Sequence, residues 1–289
     1  MKQVVVISGK GGTGKTTITS ALARLVPKKV LVDADVDAAN LEFVVGAKIS
    51  SKEQYSDAEV AYIDPEKCTN CDLCRQNCRF DAISFDGTTY IVDEHACEGC
   101  KVCEWVCPVG AVEMKSIISG YVKRSDTPYG PLWHGELTAG RENSGKMVTY
   151  LRERAAEEAM EYGYDWLVID GAPGVGCQVI ASVTGVDAAI AVTEPTLSAM
   201  HDLERVIKLI SHFKIPVAIV INKFDINESV AAQIRRWADE NNVPVLSMLP
   251  FDRRITDAIV GGKSPIEIGD PGITDSISKI WDWMRSFSE

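Results

Sequence analysis

The sequence predicts an α/β fold, a mainly parallel sheet flanked by helices, interrupted by an inserted small α+β domain. Three observations predict it. Short apolar runs alternate with segments of helical period. The first run leads through a glycine-rich loop into the first helix. Eight of the nine cysteines lie between residues 68 and 107, where the alternation stops. Alternating short buried strands and helices indicate a parallel sheet with helical crossovers.

The runs Val4–Ser8, Val30–Asp33, Trp166–Asp170, Ala188–Thr193, Val217–Asn222 and Val245–Leu249 are followed by turn residues and read as buried strands. Helical patterns cover Lys15–Leu25, Ser144–Tyr162, Ser198–Phe213, Val230–Asn241 and Thr274–Phe287. Ser56–Ile117 has no long helical pattern and carries twelve Asp and Glu against five Lys and Arg. It reads as a small domain placed in a surface loop between the second and third strands, where insertions are tolerated. Gly120–Asn143 predicts irregular structure or a hairpin leading back to the main domain. Near the C-terminus, Ile277, Ile280, Trp281 and Met284 form an apolar stripe. Lys279 and Arg285 face Asp282 and Glu289 there, so the cationic face of an interfacial anchor is missing and the helix is expected to pack on the sheet.

Composition narrows the function. The hydrophobic fraction of 46% and charged fraction of 25% are those of a soluble globular protein. A net charge of −11 repels nucleic acid and anionic lipid, so no nucleic-acid partner and no stable membrane association are expected. No apolar run reaches the roughly 18–20 residues of a membrane span. The first residues, MKQVVVISGKGG, lack a secretory signal pattern. A cytoplasmic protein is expected, in which nine cysteines point to metal or redox chemistry rather than disulfides.

ISGKGGTGKTT, Ile7–Thr17, fits G-x-x-x-x-G-K-[ST] with Gly9, Gly14, Lys15 and Thr16. Gly9, Gly11, Gly12, Thr13, Gly14 and Thr17 complete a loop whose N–H groups can turn inward around phosphates. Lys15 is positioned for the β- and γ-phosphates, Thr16 for Mg²⁺, and the following helix adds its dipole. An additional lysine, Lys10, follows the first glycine. KGGTGKTT resembles the deviant Walker A loop of the MinD/ParA/nitrogenase-iron-protein class of P-loop ATPases. The resemblance implies that Lys10 reaches the nucleotide of a facing subunit, and that the protein is an ATP-dependent homodimer.

The resemblance extends further. VLVDADVDAANL, Val30–Leu41, is similar to the second strand and switch I, which implies that Asp35 orients the attacking water and Asp33 supports Mg²⁺ from behind. WLVIDGAPG, Trp166–Gly174, is similar to the strand and switch II with Asp170 as the Mg²⁺-sensing carboxylate. VINKFD, Val220–Asp225, leaves the base open: N-K-x-D reads guanine in many GTPases, whereas Asn222 at this place implies adenine in the MinD-like class. The deviant loop favours ATP over the Asp225 signal. Pro250 and Phe251 of LPFD lie where the class places another base-contacting loop. VTEPTLSAMHDLERV, Val192–Val206, reads as a capped helix start.

The cysteines form two runs, Cys68-x2-Cys71-x2-Cys74-x3-Cys78 and Cys97-x2-Cys100-x2-Cys103-x3-Cys107-Pro108. This is the bacterial ferredoxin spacing, present twice. It implies one [4Fe–4S] cluster on Cys68, Cys71, Cys74 and Cys107 and a second on Cys97, Cys100, Cys103 and Cys78. Structural zinc sites pair two separated C-x2–4-C units, unlike this arrangement. Arg79 stands where the pattern has proline. His95, His134, His201 and His212 show no ligand spacing.

The whole chain therefore resembles a MinD-class ATPase, residues 1–55 and 118–289, with an inserted two-cluster ferredoxin domain, residues 56–117. Three roles follow: ATP-gated electron transfer to a redox partner, assembly or insertion of a metal cofactor, or MinD/ParA-like positioning. Cys177, seven residues after Asp170, falls in or after switch II and reads either as a buried helix-start residue or as a thiolate at a dimer face.

Overall fold

The computed structural model describes residues 1–138 and 144–287. Of the segment Gly120–Asn143, residues 139–143 lie outside the described residues. The strands are β1 (Lys2–Ser8), β2 (Lys29–Asp33), β3 (Lys48–Tyr55), β4 (Ala58–Ile63), β5 (Ile83–Phe85), β6 (Tyr90–Val92), β7 (Val112–Ile117), β8 (Gly120–Thr127), β9 (Gly130–Leu137), β10 (Trp166–Pro173), β11 (Ala188–Thr193), β12 (Val217–Asn222) and β13 (Val245–Leu249). The helices are α1 (Lys15–Leu25), α2 (Leu41–Val44), α3 (Leu73–Gln76), α4 (Val102–Trp105), α5 (Ser144–Tyr162), α6 (Cys177–Val183), α7 (Leu197–His212), α8 (Glu228–Glu240), α9 (Arg253–Val260) and α10 (Pro271–Arg285).

The chain divides into two compact units. The larger contains Met1–Glu53, Val122–Glu136 and Ser144–Glu289, and the smaller Gln54–Tyr121 and Leu137–Asn143. Among the described residues the larger is built on a nine-stranded sheet in the order β13-β12-β11-β1-β10-β2-β9-β8-β3. The strands from β13 to β9 are parallel. Period-two side-chain placement builds a core on each face. On one, Ile18 and Leu22 of α1 and Ile273, Ile277, Ile280 and Met284 of α10 cover Val4, Val6, Val168 and Val220. On the other, Leu203 and Ile207 of α7 and Val230 and Ile234 of α8 cover Ile219 and Ile221. The C-terminal stripe is thus part of the core, as its lack of a cationic face predicts. Among the described residues no helix is long and apolar enough to cross a membrane.

Helix starts lie where caps place them. Asn227 accepts from the Val230 N–H at 3.1 Å, so α8 begins before the apolar periodicity does. Asp270 accepts from the N–H groups of Gly272 and Ile273, and Pro271 occupies the first turn of α10.

The sequence reading does not include β3, nor does it choose between irregular structure and a hairpin for the segment from Gly120. β3, KISSKEQY, exposes every residue except Tyr55 and so has no apolar face to betray it. β8 and β9 are neighbours joined by two residues, hence antiparallel, and extend the sheet beyond β2. Glu158 of α5 fixes this hairpin by accepting from Trp133 Nε1 at 2.6 Å and Arg124 Nη2 at 2.9 Å.

Inside the hairpin region His134 is fully buried, with Nε2 2.8 Å from Ser125 Oγ and Nδ1 3.7 Å from the Glu42 carboxylate. Burial, aided by the Lys123 ammonium and opposed by Glu136, pulls its pKa from 6.5 to about 4. Below pH 6.5 the unfolded chain therefore binds a proton that the native one refuses. Stability present above that pH is lost as pH falls towards about 4, by roughly 3 kcal/mol over the whole window. In urea melts between about pH 7 and pH 5, His134→Gln is expected to lose less stability than the parent protein.

Candidate functional site

The parallel strands gather the phosphate-binding elements at their C-terminal ends, the usual ligand edge of such sheets. β1 leads into the loop of residues 9–14, β2 into the loop of Asp35, and β10 into residues 174–176. Register places Val6 beside Asp170, and Asp170 beside Asp33. These loops line a cleft of about 1040 Å³, with Gly11, Gly12, Gly14, Lys15, Thr16 and Thr17 on one wall. Asp35 and Asp37 line a second wall, and Gly176, Cys177 and Gln178 a third.

The loop is tightly backed. Gly14 has φ +98°, and a Cβ there would meet Asn222 Nδ2 at 2.2 Å. A Cβ on Gly9 would lie 2.4 Å from the main chain of Asp202 in α7. Only glycine allows both approaches. Among the described residues, the N–H groups of Gly11, Gly12, Thr13 and Gly14 donate to no protein acceptor. The Thr13 hydroxyl is likewise buried without a partner. Thr13 is buried, and buried donors normally find acceptors, so its unpaired groups and the inward glycine loop suit an anion. Lys15 is 7% exposed, with its ammonium 4.0 Å from the Asp35 carboxylate.

Three carboxylates follow different constraints. Asp170 Oδ2 accepts from Thr16 Oγ1 at 2.7 Å and its Oδ1 from Thr19 Oγ1 at 2.8 Å. Burial pushes its pKa up, against Lys15 and the two hydroxyls. Asp33 is also pushed up, by burial and by the Asp170 carboxylate. It accepts from the N–H groups of Asp35, Asn40 and Leu41, so it shapes the Asp35 loop rather than facing the cleft. Asp35 is raised by burial, with Lys15 opposing.

Several partners escape the sequence reading. Thr19 is the second hydroxyl on Asp170. Glu194, after β11, lies 3.6 Å from Lys10 Nζ and 3.3 Å from Lys223 Nζ, while Lys223 also donates to Gly12 O at 3.0 Å. Gln178 donates to the Asp37 carboxylate and joins the two cleft loops. The TEP sequence after β11 is the visible trace of Glu194, but it reads equally as a helix cap.

The base-contact candidates gather at the ends of β12 and β13. Asn222 donates to Thr13 O at 2.9 Å and accepts from the Lys223 N–H, so its amide braces the phosphate loop. Asp225 Oδ1 accepts from the Phe251 N–H at 2.6 Å and fixes the Pro250–Phe251 turn, with Phe251 54% exposed. Cys177 is exposed at the first turn of α6.

The smaller unit brings Cys68, Cys71, Cys74 and Cys107 around one pocket. Cys78, Cys97, Cys100 and Cys103 surround another. Main-chain N–H groups already point at sulfur: Ala111 to Cys107 at 3.2 Å and Ala61 to Cys97 at 3.5 Å. Burial pushes the Cys103 thiol up to about 11. Among the described residues no three His, Cys, Asp or Glu side chains converge on a site for a single metal ion.

A family model described as the CobQ/CobB/MinD/ParA nucleotide binding domain matches residues 4–266. An uncharacterized protein of Methanocaldococcus jannaschii is 31% identical, over 99% of this chain and 97% of its own length. The iron-sulfur cluster carrier protein of Pyrococcus furiosus is 24% identical, over 93% of this chain and 80% of its own. The septum site-determining protein MinD from Pyrococcus horikoshii OT3, solved with Mg-ADP, aligns with a TM-score of 0.56 at 18% identity, covering 96% and 93% of the two chains.

Proposed function

Because the chain belongs to the CobQ/CobB/MinD/ParA nucleotide-binding family of P-loop ATPases, we propose that it hydrolyses MgATP and couples a nucleotide-driven dimer switch to electron transfer through two [4Fe–4S] clusters. The observation that carries this reading is the joint presence, in one chain, of an anion-ready loop and two four-cysteine pockets.

The donor sets suit the groups they would hold. Orphan N–H groups and Lys15 fit a polyphosphate, and Thr16 with Asp170 would hold Mg²⁺. Asp35, at the cleft wall, would orient water, and Lys10 would serve a facing subunit. Asn222, Asp225, Pro250 and Phe251 would flank an adenine. In the cysteine unit, each pocket offers four thiols and aimed N–H donors. When bound, such clusters supply reversible one-electron storage.

Chain connectivity supports coupling. The loop carrying Asp35 and Asp37 continues through α2 into β3, which leads directly into the cysteine unit. β8 returns from that unit, and the Ser125–His134 pair of β8 and β9 abuts Glu42 of α2. Movement of the Asp35 loop therefore acts on both connections.

A second reading, cluster assembly or carriage, is favoured by the Pyrococcus furiosus relative's name and by Cys177 exposed in the cleft. Stopped-flow electron delivery from dithionite-reduced protein to an external one-electron acceptor separates the two. Electron transfer predicts a several-fold difference between MgATP and MgADP with iron retained. Equal rates, with iron passing to a chelator, would favour carriage.

A further inference from the structure

The cysteine unit is an internal repeat with an offset of 29 residues, and the repeat extends well beyond the cysteines. Asn70, Asp72 and Asp81 take left-handed φ values of 57°, 67° and 51°, and their counterparts Gly99, Lys101 and Gly110 take 63°, 65° and 62°. Asp64 N donates to Ala111 O at 2.8 Å, and Asp93 N to Ala82 O at 2.8 Å. Cys68 N donates to Asp64 O and Cys97 N to Asp93 O, both at 3.0 Å. The pocket walls obey the same relation: Val109, Ala111 and Val112 beside Cys107 match Phe80, Ala82 and Ile83 beside Cys78. Two halves this alike provide an internal control, because whatever differs at matched positions must distinguish the pockets.

Charge differs at those positions. Around the Cys68 pocket stand Thr69, Asp72, Arg75, Thr88, Pro108 and Gly110, a set with no net charge. Arg75 closes on Asp72 through two bonds of 2.7 and 2.6 Å, and Gln76 adds a third at 3.0 Å. The counterparts around the other pocket are Glu98, Lys101, Glu104, Glu59, Arg79 and Asp81, a set with net charge −2 in which Arg79 and Asp81 offset each other beside Cys78. Lys101 is claimed by Glu59 at 2.7 Å, and Glu98 forms no ion pair among the described residues. Polarity differs in the same sense. The Cys68 pocket is lined by Tyr90, which carries a phenolic hydroxyl, where the other pocket has Ala61. Phe80 and Met114 complete that apolar wall.

We propose that the two cysteine pockets are electrostatically unequal, and that the pocket of Cys78, Cys97, Cys100 and Cys103 holds the lower-potential cluster. This deepens the two-cluster reading and rests on it. Adding an electron adds negative charge, which nearby carboxylates and an apolar wall both disfavour. Glu98 and Glu59 tune that pocket. The neutral Asp72–Arg75–Gln76 network leaves its counterpart easier to reduce. With clusters held by both sets of thiols, the residues around Cys97 would favour loss of an electron and those around Cys68 its gain.

Anaerobic EPR-monitored redox titration of the full-length holoprotein at low ionic strength, where surface charges are least screened, tests this. Two one-electron waves are expected, separated by at least a tenfold ratio of equilibrium constants, or 59 mV for a one-electron couple. Glu98→Thr combined with Glu59→Thr transplants the matched residues and should raise only the lower wave. Thr69→Glu should lower only the upper one. Coincident waves, or a double variant that moves the upper wave alone, would overturn the inference. Iron and sulfide analysis of the same samples separates this failure from that of the premise: fewer than two clusters per chain would remove the two-cluster reading itself.

Discussion

Stripping iron from the protein is expected to unfold the smaller unit and leave the larger one folded. The smaller unit's core is a handful of side chains, Ala61, Ile63, Ile83, Tyr90 and Val112, packed around Cys74 and Cys103. Its helices α3 and α4 have four residues each and its sheets two strands each. Elements that short are not stable alone. Two of its buried residues are themselves thiols whose pKa burial raises, so without metal they contribute little beyond small apolar volume. Metal–thiolate bonds must then supply folding energy, on the order of 10 kcal/mol per site in structural zinc modules. The larger unit has fully buried cores on both faces of its sheet and needs no such help. Amide exchange of apo- and holoprotein reads the difference directly. Residues of β4 and β7 should lose protection in the apoprotein while those of β1, β10 and β11 keep it. Equal protection of β4 and β7 in both forms would contradict the prediction.

Lys15→Ala is expected to reduce MgATP hydrolysis by about 10²–10³-fold or more, the scale for removing one preorganised charge contact in a closed site. Its ammonium is buried in the cleft wall, and among the described residues the N–H groups of Gly11, Gly12, Thr13 and Gly14 beside it meet no protein acceptor. Asp35→Asn should behave differently. Asp35 faces the cleft, yet the Asp35 loop is held mainly by the Asp33 carboxylate, so nucleotide binding should persist while turnover falls. Equilibrium binding of a fluorescent ATP analogue, measured beside steady-state hydrolysis, separates the two effects. Lys15→Ala with normal turnover would remove the loop from the mechanism.

Much of this site is legible in the sequence because short covalent spacing dictates it. The glycines, Lys15 and Thr16 lie in one loop and the first turn of α1, and Asp33 at the end of β2 pairs with Asp170, which closes the apolar run of β10 three residues before the strand itself ends. The apolar stripe of α10 is equally legible, since Ile277, Ile280 and Met284 recur at helical period on a segment without a cationic face. What escapes is long-range or unpatterned. β3 is polar on both faces, so no periodicity marks it. Thr19 reaches Asp170 only because α1 packs against the end of β10. Glu194 meets Lys10 and Lys223 from separate strands, a convergence no local motif encodes. In the cysteine unit the spacing displays the repeat. Its left-handed positions stay hidden because Asn70, Asp72 and Lys101 are not glycine.

The central claim is that nucleotide state and cluster chemistry are coupled within one chain, through the Asp35 loop, α2 and the strands that enter and leave the cysteine unit. Anaerobic EPR of the reduced holoprotein without nucleotide, with MgADP and with a non-hydrolysable MgATP analogue tests it most directly. Coupling predicts that the MgATP analogue alters the cluster signals and their midpoint potentials relative to MgADP. Spectra and potentials identical in all three states, in protein shown to bind both nucleotides, would contradict it.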